Sequence, residues 1–292
     1  SADGLLFTID RLGRPVGFDG ATGRQAASVF VRVTDLDPGS GGRVALVTQE
    51  GDLRILDLEE NVYAVEVRRA HVGGATAVAW RPGREVVVSA GRAGDLRAWD
   101  VDGTRLWEVG LGSPVAALTW APTAGLVAAR TGGGVHLLDG EDGVRLDVFP
   151  GSFVAHAVHA GGHLVALAPE EGGVQLISRG PASSMDVLAV EGAVAGLAFS
   201  PAEPLIATIT RQGVLQVFDL HSLGEIGRAF AHPGGATDLA FSADGETLAT
   251  AGTQGEVAFW VTAAFLDPAG DVQGEISERY GVVRSGTDLE FP

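Results

Sequence analysis

No cysteine and no lysine occur in these 292 residues, methionine occurs once, and asparagine stands only at Asn61. Each absence removes chemistry. Without cysteine there is no thiol nucleophile, no thiolate zinc site, no iron–sulfur cluster and no disulfide. Without lysine there is no phosphate-loop lysine, no Schiff base and no lysine general base. Lysine, which is absent, and asparagine, which occurs once, both have A-rich codons, which points to a GC-rich, bacterial genome. All 20 basic residues are arginine against 37 acidic ones, for a net charge of -17. Those 37 acids are an ordinary share of the chain, so the excess reflects scarce bases. A broad basic face for nucleic acid is not expected.

Long hydrophobic runs are also missing. The longest stretch without Asp, Glu, Arg or His, Val109 to Ala129, approaches membrane-spanning length but is broken by Gly110, Gly112, Pro114, Pro122 and Gly125. No membrane insertion is expected, and the location implied is cytoplasmic. The chain opens at Ser1 without a charged-then-apolar segment, which leaves a removed leader open. Gly-x-Ser-x-Gly, His-Glu-x-x-His and a phosphate-binding loop are all absent.

What the chain has is glycine, 43 in all, separating alternating apolar runs of five to seven residues along its whole length. That is a strand signal with no room for long amphipathic helices. The runs repeat in one frame. A strand ends in an aromatic before a turn at Trp80, Trp120, Phe199 and Phe241, with Leu36, Val158 and Phe291 in weaker copies. A second anchor follows at Phe18, Leu56, Trp99, Leu138, Ile177, Phe218 and Trp260, with spacings of 38, 43, 39, 39, 41 and 42. Five residues before each stands a glycine: Gly13, Gly51, Gly94, Gly133, Gly172, Gly213 and Gly255. A hairpin turn needs a residue with positive φ there, and glycine supplies it at little cost.

These residues resemble a WD40-repeat β-propeller. One repeat reads His71, Trp80-Arg-Pro, Ser89, Gly94, Trp99-Asp100, and another His232, Phe241-Ser-Ala-Asp-Gly, Thr250, Gly255, Trp260. The resemblance implies an all-β, seven-bladed propeller over residues 1–292 as a single domain. In the family an Asp before the turn glycine bonds the His, which bonds Ser or Thr, which receives the Trp indole. That position holds Leu12, Glu50, Ala93, Gly132, Glu171, Gln212 and Gln254, so no blade is expected to carry the full network. The ends match across the join: Gly286 to Phe291 reads like Gly235 to Phe241, and Ser1 to Thr8 like Ser242 to Thr250. Residues 285–292 are therefore expected to supply the inner strand of the blade formed by about 1–28 and to close the propeller. Both ends stopping at this seam fits a chain cut from a longer protein or working within a larger complex.

The expected role is a non-catalytic scaffold that binds a protein or peptide on the top face of the propeller. By the resemblance, the residue before the missing Asp projects onto that face: Arg11, Gln49, Arg92, Thr131, Glu170, Arg211 and Thr253, with Arg32 nearby. Three arginines there would make a positive rim suited to an acidic motif. The stretch from Trp260 to Phe291 spans 31 residues against 18 to 24 elsewhere, and its Phe265, Leu266, Tyr280 and Arg284 form a rival contact surface. The other class of reading is a propeller hydrolase or lactonase with a channel metal, for which only Thr34, His156 and Glu290 stand out on inner strands. His156, His159 and His163 do not converge by strand alternation, so neither a metal nor a cofactor is expected.

Overall fold

Short apolar runs bounded by glycine can satisfy their backbone groups only by pairing, and each run here pairs with its neighbour in sequence. The computed structural model describes residues 5–9, 14–19, 25–28, 32–60, 62–180, 183–266, 283–285 and 288–290. Among these lie 28 strands and one four-residue helix, and the sheets are antiparallel meanders. The chain divides into two compact units, the first mainly up to residue 153 and the second mainly from 154 onward.

The first unit opens with a three-stranded sheet of β1 (Leu5–Ile9), β2 (Pro15–Asp19) and β3 (Gln25–Ser28). Three four-stranded sheets follow. They are β4 (Asp35–Pro38), β5 (Arg43–Val47), β6 (Leu53–Asp57) and β7 (Val62–Val67); β8 (Ala75–Trp80), β9 (Val86–Gly91), β10 (Asp95–Asp100) and β11 (Arg105–Gly110); and β12 (Val115–Ala121), β13 (Leu126–Thr131), β14 (Gly134–Asp139) and β15 (Arg145–Pro150). The core sits between successive sheets: Val88, Leu96 and Ala98 of one pack with Trp120, Val127 and Leu138 of the next. Second strands such as β5 are buried on both faces, whereas fourth strands such as β7 stay largely exposed. That gradient explains why the former read as continuous apolar runs.

The second unit holds β16 (Phe153–Val158), β17 (Leu164–Pro169), β18 (Val174–Ser178) and β19 (Ser184–Leu188), then β20 (Val194–Phe199), β21 (Leu205–Thr210), β22 (Val214–Asp219) and β23 (Glu225–Phe230). A three-stranded sheet of β24 (Ala236–Phe241), β25 (Thr247–Gly252) and β26 (Val257–Val261) comes next, and α1 (Ala263–Leu266) follows it. Leu205, Ile209 and Val217 pack with Leu239, Leu248 and Trp260 between the last two of these sheets.

Among the described residues the expected seven blades are corrected to six, running from β4 to β26, five of four strands and one of three. The sheet β1–β3 has three strands. Within the segment expected to complete it, β28 (Asp288–Glu290) pairs with β27 (Val283–Ser285) in a two-stranded ribbon. A partner a few residues upstream costs little loop-closure entropy, whereas the first strand lies almost the whole chain away.

Candidate functional site

The turns joining the second and third strands of each blade were expected to present the contact residues. The turn glycines behave largely as the spacing requires: Gly51, Gly94, Gly172, Gly213 and Gly255 have φ between 82° and 102°. The β13–β14 turn differs. There Arg130 faces Val135 across the hairpin with four residues between them, whereas in the β9–β10 turn Ala90 faces Leu96 with five, so the loop is one residue shorter. The positive φ falls on Gly134, at 150°, and not on Gly133.

In the first unit Gln49 and Arg92 stand exposed at such turns, and Arg32 is exposed just ahead of Val33. The Arg92 backbone N–H donates to the Gly74 carbonyl at 3.0 Å, which fixes the turn beneath its side chain. Thr131 is corrected: shortening of the turn makes it the last residue of β13, buried, with its hydroxyl donating to the Gly134 carbonyl at 3.1 Å. In the second unit Glu170, Arg211 and Thr253 are exposed. Arg211 N–H donates to the Ala193 carbonyl at 2.7 Å, the counterpart of the Arg92 anchor. Arg92 and Arg211 form no ion pair with a described residue. By contrast Arg43 is tied to Glu85, Arg97 to Glu108 and Arg228 to Glu191. Phe265 packs with the apolar cluster of the last blade and lies where a side chain on Gly227 would be, leaving Leu266, 47% exposed, as the contact-ready residue of that pair. Arg11, Tyr280 and the side chain of Arg284 lie outside the described residues.

The expectation that no blade carries the full polar network is corrected. His71 Nδ1 lies 2.7 Å from Asp95 Oδ2, His71 Nε2 lies 2.7 Å from Ser89 Oγ, and the Trp99 indole N–H donates to the same Oγ at 2.8 Å. An ionised carboxylate only accepts, so Nδ1 carries the proton, the Ser89 hydroxyl donates to Nε2, and the chain of bonds is complete. Burial holds His71 below its ordinary pKa against the opposing pull of Asp95, which agrees with a neutral ring. The carboxylate sits one residue after the turn glycine instead of one before it. Room for it comes from Gly91, where a Cβ would collide with both Asp95 and His71. The β25–β26 turn repeats the device with Glu256 and Gly252. There Thr250 Oγ1 lies 2.8 Å from His232 Nε2 and accepts from Trp260, but Glu256 lies 3.3 Å from Nδ1 without making a hydrogen bond.

Of the polar residues singled out on first strands, Thr34 donates to the Val47 and Ala75 carbonyls, His156 is buried in β16, and the Glu290 side chain lies outside the described residues. His159 and His163 meet edge to face with centroids 4.4 Å apart. Among the described residues no group of three or more acids and histidines is placed to hold a metal.

Three carboxylates on first strands were not singled out from the sequence. Asp35 Oδ2 accepts the Val78 N–H at 3.0 Å and Asp37 Oδ2 accepts the Trp80 N–H at 2.7 Å, so alternate residues of β4 cap the free edge of β8. Asp37 keeps part of its surface in solvent, yet crowding around its carboxylate, helped by Asp35, pushes its pKa up to about 7. Asp238 on β24 keeps an exposed surface, yet crowding around its carboxylate likewise raises its pKa, and it lies where a Cβ on Gly196 would be. The visible signal was the Asp-Leu-Asp alternation in a strand otherwise expected to be apolar.

A family model described as "WD domain, G-beta repeat" matches residues 224–260, which take in β23 to β25 and all but the last residue of β26. This is a WD40-like β-propeller. No curated protein matches the chain. Among solved structures it is similar to the computationally designed Ika8 protein, whose crystal structure is 17% identical, covers 88% of this chain and 93% of its own, and superposes with a TM-score of 0.66. That likeness concerns the fold alone. No described helix of this propeller is long and apolar enough to cross a membrane.

Proposed function

We propose that this WD40-like propeller is a non-catalytic interaction module that takes a protein or peptide of acidic character on the turns joining the second and third strands of its blades. Propellers of this kind serve in general as protein-interaction scaffolds. The observation that supports the acidic partner is the state of Arg92 and Arg211. Each projects from a turn whose backbone is pinned to the preceding loop, and neither is engaged by a described carboxylate. In a chain of net charge -17, a cation left unpaired at an anchored turn is available to a partner's carboxylate.

The test is capture of partners from the native organism with the wild type and with Arg92→Glu, Arg211→Glu and Leu266→Ala variants. Exposed turn substitutions leave stability within about 0.5 kcal/mol, so lost capture reads as lost contact. Loss with either arginine reversal, together with weakening by added salt, is the expected result. Capture that survives both reversals but fails with Leu266→Ala moves the surface to α1.

A further inference from the structure

Arg130 breaks the repeat in a way that neither the turns nor the core explains. The strand pairings align it with Val47, Ala90, Ile209 and Ala251 of other blades, each facing the residue two after the turn glycine. All four are apolar, and Val47, Ala90 and Ile209 are fully buried at 0% exposed, with Ala251 half-buried. Arg130 is half-buried at that place. Its Nη1 donates to the Phe153 carbonyl at 3.0 Å, its Nε is buried without a hydrogen-bond partner, and no described carboxylate forms an ion pair with it. One neutral acceptor is a poor match for a guanidinium with five donors. The charge therefore costs stability where an alanine or valine would contribute it.

The shortened turn beside it leaves an approach. Residues 131–134 read Thr-Gly-Gly-Gly, and a Cβ built on Gly132 would meet nothing within 4 Å. We infer that Arg130 is the anchor of a carboxylate-binding site at the turn end of β13, taking the acidic side chain of a peptide at the Nη end of its guanidinium, where Nη2 has no described partner. A planar carboxylate matches the fork of two parallel N–H donors and supplies the charge that the fold does not. Burial alone pulls the Arg130 guanidinium below its ordinary pKa, with no neighbouring anion to offset it. This inference rests on the reading of the chain as a module for an acidic partner, but it lies on a residue different from the exposed arginines of that reading.

The experiment titrates the full chain with a short oligoglutamate peptide, with an oligoglutamine peptide as control, for wild type, Arg130→Met, Arg130→Lys and Arg92→Glu, and records the melting temperature of each. The expected result is oligoglutamate binding that Arg130→Met weakens by about thirtyfold or more, with no loss of melting temperature. Arg130→Lys, which keeps the charge without the fork, should fall between. The Arg130 Nε–H resonance of the wild type should also shift on titration, a readout that needs no folded variant. Unchanged affinity in Arg130→Met, an unmoved Nε–H resonance, equal binding of oligoglutamine, or an Arg130→Met protein that melts several degrees lower would each overturn the site. Loss in Arg92→Glu with retention in Arg130→Met sinks this inference and leaves the proposed function standing. The reverse pattern keeps the site and removes Arg92 from the contact surface.

Discussion

At the scale of single residues, two carboxylates carry consequences that can be measured. Asp95 is the acidic end of the His71–Ser89–Trp99 chain, and Asp95→Ala would leave a buried imidazole N–H without its acceptor. The expected cost is about 1–3 kcal/mol in urea unfolding. Ala93→Asp, the substitution that family likeness recommends, should bring no gain. Its place in the network is already filled, and a second carboxylate there would face the first. A clear stabilisation by Ala93→Asp would show that Asp95 does not play this part. Asp37 acts through pH. An unfolded Asp titrates near 3.8 and this one near 7, so between those values the folded chain holds a proton that the unfolded chain releases. Stability therefore falls as pH rises through that window and levels off above it. Asp37→Asn keeps an oxygen for the Trp80 N–H, so it should flatten the decline and be the more stable protein at about pH 8. Parallel slopes for the two proteins between about pH 4 and 7 would rule the assignment out.

At the scale of strands and turns, one sequence rule hides two physical demands. Gly213 and Gly255 occupy the same turn position with φ of 87° and 93°. A Cβ on Gly213 would run into the His232 carbonyl, while one on Gly255 meets nothing within 4 Å. Gly255→Ala should thus cost about 1–2 kcal/mol for the left-handed backbone alone. Gly213→Ala should cost about 3 kcal/mol or more, because backbone must also move. Equal losses in thermal or urea unfolding would show that the close approach is not felt. The β4–β8 seam makes a related point about edges. A strand edge left open by its own sheet is capped here by side chains rather than by another strand, which a strand's period of two permits when acids stand at alternate positions.

At the scale of the whole chain, the question is what the C-terminal segment does. Its strand β28 pairs with β27 and with no other described strand. Removing residues 285–292 should accordingly shift the melting temperature by only a few degrees, about 1 kcal/mol or less for a chain of this size. A global loss of stability would instead show that this segment completes the β1–β3 sheet, as the match between the two ends suggests.

The sequence by itself determined the strand-and-turn frame, because that frame is local. Period-two alternation fixes which side chains are buried, and a glycine five residues before Trp99 or Trp260 fixes where the hairpin turns, with no knowledge of distant contacts. The exposed arginines Arg92 and Arg211 were legible for the same reason, since their place follows from the turn that carries them. What only the tertiary structure decided are matters of approach between segments. That Asp95 replaces the missing turn carboxylate depends on the space Gly91 leaves beside His71. The burial of Thr131 depends on a hairpin one residue short, which the constant five-residue spacing from glycine to the second anchor conceals, and the lone acceptor of Arg130 on the approach of the Phe153 carbonyl. The capping of β8 by Asp35 and Asp37 depends on two first strands about forty residues apart lying side by side, and the pairing of β28 with β27 on the low entropy cost of a nearby partner.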